Sequence, residues 1–167
     1  MRPIALEIIA PINRLYQAMN NDSSKPLFWP FDWNSLSGLQ KSFLEFPFFG
    51  ARARAHREII SQLTRRSVEC LAHWDNFSEK ERELAKKISK IVCKCFAWPN
   101  EYFLPDDPFE IMIWERSGDF MATTEAIATI ENELGLKQKT SAEWESLMKQ
   151  NYGKVIQIIS SSLENKT

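Results

Sequence analysis

The sequence predicts an all-α protein, on three observations. Apolar residues recur three and four positions apart through most of the 167 residues, the period of helices with one buried face. Ser78 and Glu81 open one such run as a capping box, each able to satisfy an open amide at a helix start. Gly135 closes another, at the position past a helix end where a left-handed backbone is common. A strand over 110–114 is the one competing reading, and it has no evident partner strand.

Taken in order, Ile4, Ile8, Ile12, Leu15 and Met19 predict a first helix over 4–19, with Pro11 as a break or restart. A polar turn follows. Residues 27–50 hold a dense group of aromatics, with a short helix expected from Ser35 to Phe46 and stopped by Pro47. Aromatics need burial to offset their ordering, so this segment is expected to wrap a helical body; an exposed docking surface is the alternative. Residues 51–74 read as one long helix with Ile59, Leu63, Ser67 or Cys70, and Trp74 on a stripe that Ile60 and Val68 broaden. Its basic cluster, Arg52, Arg54, His56, Arg57, Arg65 and Arg66, is read as a solvated outer face.

After Ser78, the residues Leu84, Ile88, Ile91, Val92 and Cys95 form a buried stripe. Acids precede lysines along that helix, in line with its dipole. Pro99, Pro105 and Pro108 then impose an ordered connection with one turn near 108–112. An acidic helix is expected from Asp119 to Leu134, with Phe120, Thr123, Ile127, Ile130 and Leu134 on one face and Ala126 beside it. Helices near 141–150 and over 152–163 complete the chain, the last with Val155, Ile158, Ile159 and Leu163 inward.

The region 79–163 resembles a divergent member of the acyl carrier protein family. "ERELAKKISKIVCKCF" is similar to the first carrier helix, a proline-marked loop follows, and "DFMATTEAIATIENELG" is similar to the second helix. "GKVIQII" resembles the start of the last one. The resemblance implies an acyl-carrier-like helical bundle at 76–167, carrying residues 1–75 as a helical and aromatic-rich extension within a single domain. Trp74 and Trp98 are positioned to stitch the two parts together.

The family's pattern is Asp-Ser-Leu-Asp. Here Asp119 matches the first aspartate, Phe120 takes the place of the attachment serine, Met121 matches the apolar residue, and Ala122 replaces the second aspartate. A phosphopantetheine arm is joined through a hydroxyl, which Phe120 lacks. Ser117, Thr123 and Thr124 carry hydroxyls out of register. The family also docks partners on its acidic helix. The resemblance therefore implies a noncatalytic protein-binding role, with Asp119, Phe120, Glu125 and Glu131 as the partner-binding residues. A small-molecule or lipid-handling helical protein, motivated by the aromatic segment, is the alternative; a carrier modified at an atypical hydroxyl is a further one.

Other chemistry has weaker sequence support. Cys70, His73 and His56 have poor spacing for zinc, and Cys93–Cys95 is no metal knuckle within a helix. Asp106 and Asp107 are explained by a turn, with Asp107 as a cap before Pro108. No catalytic, cofactor or metal residue is assigned. The 21 basic and 22 acidic residues nearly cancel, which gives no general pull toward nucleic acid. No apolar run approaches a bilayer span and no secretory signal is read at the start, so a cytoplasmic location is expected. Three cysteines, an odd number, fit reduced thiols better than a disulfide framework.

Overall fold

The computed structural model describes residues 23–29, 51–114 and 121–164. The predicted helices at 4–19 and 35–46 lie outside these residues, as do Ser117, Asp119 and Phe120. Among the described residues the fold is all-α. The helices are α1 (Ala51–Thr64), a 3-10 helix (Val68–Trp74), α2 (Glu79–Phe96), α3 (Phe109–Met112), α4 (Met121–Glu133), α5 (Ser141–Met148) and α6 (Tyr152–Glu164). The only β geometry among them is an isolated bridge between Pro108 and Asn151. The strand option at 110–114 is therefore replaced by α3.

The centre is α2, which packs against both α4 and α6. Its N-terminus is the expected capping box: Ser78 Oγ accepts from Glu81 N at 3.3 Å, and Ser78 N donates to Glu81 Oε2 at 2.8 Å. Leu84, Ile88, Ile91 and Val92 are buried as the spacing predicts, joined by Ala85, Ser89 and Phe96, while Cys95 is only half-buried. The helix ends at Ala97, a non-glycine residue in the left-handed region at φ 53°.

The predicted single helix over 51–74 is in fact two. The α-helix stops at Thr64, and Ser67, in extended backbone, caps the 3-10 helix by accepting from Glu69 N. The break turns the Arg66 side chain into the protein. Ile59, Leu63, Cys70 and Trp74 are buried as expected, but the new register leaves Val68 61% exposed instead of widening the apolar stripe. Burial of an exposed valine is worth about 1.5 kcal/mol or more, so the fold forgoes that gain to place Arg66.

Among the described residues, Arg66 makes the most deeply buried ionic contact. Its guanidinium donates to both oxygens of Asp107, at 2.5 and 2.7 Å, and to the carbonyls of Tyr102 and Lys25, at 3.1 and 2.9 Å. Asp107 is fully buried and also accepts from Leu27 N and Leu104 N, each at 2.7 Å. One carboxylate thus ties together three chain segments. Asp107 is not the helix cap expected from its place before Pro108: Pro108 itself is the cap residue of α3, without a side-chain bond. The adjacent Asp106 is exposed.

The connection from Ala97 to Pro108 is ordered, as its prolines and apolar residues predict. It docks on the start of α6 through Gly153 N to Pro105 O and Tyr152 N to Asp107 O, both 2.7 Å. A Cβ on Gly153 would sit 2.9 Å from Phe77 Cζ and 3.0 Å from Pro105 Cβ, so the close approach requires glycine. Tyr152 is buried beside it, stacked on Phe109 and meeting the edges of Trp74 and Phe103. Its hydroxyl donates to Ala85 O at 2.5 Å and lies 3.0 Å from Ser89 Oγ. Burial pushes the phenol well above its ordinary range, so it stays protonated.

The apolar core is continuous across residue 75, with Ile59, Leu63 and Trp74 in the same cluster as α2, α4, α5 and α6. Trp74 donates to Phe103 O, Trp98 donates to Met112 O, and the Trp98 ring lies 5.2 Å from the His56 ring of α1, tilted by 30°. Each of these tryptophans thus contacts a chain segment on the other side of residue 75. Leu27 is buried, and Phe28 and Trp29 are half-buried; the rest of the aromatic segment, 30–50, lies outside the described residues.

Candidate functional site

The acidic helix α4 is positioned by its inner face. Thr123, Ala126 and Ile130 are buried, with Ile127 and Leu134 half-buried. Its C-terminus is a Schellman turn: Leu136 N bonds Glu131 O, Gly135 N bonds Asn132 O, and Gly135 has φ 60°. The outer face carries Met121, Thr124, Glu125, Ala128 and Asn132, all exposed, with Met121 at 72%.

The predicted site residues separate on this frame. Glu125 lies on the outer face, close enough to Cys95 that, after burial, it helps raise that thiol above its ordinary range against a smaller effect of Lys94. Glu131 is half-buried, and its Oε1 accepts from Lys139 N at 2.7 Å and from Trp144 Nε1 at 2.8 Å. It joins α4 to α5, a part sequence spacing did not reveal. Asp119 and Phe120 lie outside the described residues. Of the out-of-register hydroxyls, Thr123 is buried and donates to Ile113 O at 2.9 Å, whereas Thr124 is exposed.

Between α4 and α5 lies a cleft of about 700 Å³. Three tryptophans line it. Trp29 and Trp114 meet edge to face at 5.1 Å, and Trp144 forms the α5 wall. Two indole N–H groups are bound by lining carboxylates: Trp29 Nε1 donates to Glu110 Oε1 at 2.9 Å, as Trp144 does to Glu131. The sequence signal was aromatic abundance alone; pairing over 81 and 13 residues has no local signature.

The remaining candidates do not converge. Cys70 is buried with Sγ 3.5 Å from Ser23 O, His73 is exposed, and His56 packs at a tilt against Trp98. Cys93 donates to Asn100 O at 2.9 Å, and burial, aided by Glu101, pushes its thiol up to about 12. Among the described residues no group of three or more His, Cys, Asp or Glu side chains could hold a metal ion. Of the basic cluster, Arg54, Arg57 and Arg65 are exposed as expected, while Arg66 is the buried exception. No described helix is long and apolar enough to cross a membrane.

Comparison with known proteins found no matching family model, no matching curated protein and no matching solved structure. The carrier resemblance rests on the residues that carry it.

Proposed function

We propose that this chain is a noncatalytic, acyl-carrier-like helical protein that works by binding another protein through the outer face of α4. The observation that carries the reading is the division of that helix. Its inner face is packed on α2, and its outer face leaves a large apolar side chain, Met121, exposed one turn from Glu125. Apolar anchors beside charge are what a partner surface requires. Asp119 and Phe120, which precede this face in the chain, and Glu131, half-buried where α4 meets α5, are proposed to take part in the same contact. Phe120 has no oxygen for an arm, and the Thr123 hydroxyl is already engaged in the interior. The test is quantitative co-purification from cells with wild-type chain and with Phe120→Ala and Glu125→Lys. Loss of a specific partner by both variants, with unchanged unfolding curves, is the expected outcome. Equal recovery by all three would remove the α4 surface from the account.

A second reading, small-molecule handling, is favoured by the tryptophan-lined cleft, whose volume is in the range of about 300–1,000 Å³ usual for ligand pockets.

A further inference from the structure

We propose that the cleft between α4 and α5 binds a small organic cation, an alkylammonium group on a short apolar body. The inference rests on the small-molecule reading of the cleft, whose lining shares Thr124, Ala128 and Glu131 with the proposed docking surface on α4. Shape and charge both point to this class. The walls offer the rings of Trp29, Trp114 and Trp144. Trp29 and Trp144 already donate their polar N–H edges to Glu110 and Glu131; the half-buried Trp29 and Trp114 have ring surface left for a ligand, while Trp144, 3% exposed, closes the wall behind them. An indole face attracts a cation through its quadrupole, most strongly among the aromatic side chains.

The charge of the lining has the same sense. Among the described lining residues, Glu110, Glu131 and Glu145 give three carboxylates, against the single ammonium of Lys139. That ammonium is itself 4.0 Å from Glu143 Oε1, so its field is partly cancelled. Each indole uses one oxygen of its carboxylate. A fatty acid or phosphate would enter against net negative charge, and an uncharged ligand would leave that charge uncompensated. An ammonium head meets the carboxylates while its apolar body covers the rings.

The test is titration of the full chain, isotopically labelled on tryptophan, with hexyltrimethylammonium, hexanol and hexanesulfonate, following indole N–H signals by NMR. Glu145→Gln serves as the variant because Glu145 is exposed and takes part in none of the hydrogen bonds described above. The expected result is that the cation alone shifts the Trp29, Trp114 and Trp144 signals, with at least threefold weaker binding in Glu145→Gln. Hexanol binding as well as the cation, or hexanesulfonate binding better, would overturn the cation assignment while keeping a ligand cleft. Unchanged cation binding in Glu145→Gln would also overturn it. Silence toward all three probes would overturn the small-molecule reading itself.

Discussion

Arg66 and Asp107 show how one residue pair can set local structure. The pair is buried, bidentate and supported by backbone donors and acceptors on both sides. Its two members are not equivalent. Removing Arg66 leaves Asp107 with two backbone N–H donors, whereas removing Asp107 leaves the guanidinium only the carbonyls of Tyr102 and Lys25 and orphans the amides of Leu27 and Leu104. Arg66→Met is expected to cost about 3 kcal/mol and Asp107→Ala about 5 kcal/mol, the range for breaking a buried pair. Urea unfolding measures both, and an Asp107→Ala loss no larger than that of Arg66→Met would contradict the asymmetry. A second contrast lies at two left-handed positions. Ala97 holds φ 53° with a Cβ, and Gly135 holds φ 60° without one. Ala97→Gly is expected to stabilise and Gly135→Ala to destabilise, each by about 1 kcal/mol. Space does not decide the second, since a Cβ on Gly135 would meet nothing within 4 Å. Thermal unfolding should therefore show opposite signs.

At the scale of the element, caps and burial set the pH response. Thr140 and Glu143 form a capping box on α5, and the Thr140 backbone and side-chain bonds hold the Glu143 carboxyl below its ordinary range. A lowered folded pKa gives stability that is present above the unfolded value and is lost as pH falls through the folded one. Amide-exchange protection at the start of α5, relative to the intrinsic rate, should fall under those acid conditions in the wild type and be low already in Glu143→Ala; equal pH profiles would contradict the box. Cys93 has the opposite shift. Its thiol titrates near 12 in the fold, against about 8.5 in an unfolded chain. Above that lower value the unfolded chain sheds a proton the fold keeps, so stability falls as pH rises. At pH 8, iodoacetamide should spare Cys93 in the native protein and label it in urea; rapid native labelling would contradict its burial.

Element identity was largely legible because its signals are local. The Ser78 box, the Gly135 stop and the stripes of α2 and α4 need only neighbours in sequence. The break after Thr64 was not legible, because it follows from a carboxylate 41 residues away. The same distance explains Asp107, whose local context reads as a cap. Exposure of Val68 follows from that one break.

For the whole molecule, the described helices build one core around α2, and α4 reaches the surface as the helix that resembles a carrier's recognition helix. The exposed Glu125 was legible from period alone. Glu131 was not, because its role in joining α4 to α5 depends on Trp144 and on the loop that returns Lys139 to it. The cleft was legible only as an excess of tryptophan without an address. We propose that this bundle acts without a covalent arm. The most direct test of that claim is the intact mass of the protein after incubation with coenzyme A and a broad-specificity phosphopantetheinyl transferase. An unchanged mass is the expected result. Added phosphopantetheine, mapped by peptide fragmentation to Ser117 or Thr124, would contradict the claim and make the chain a working carrier.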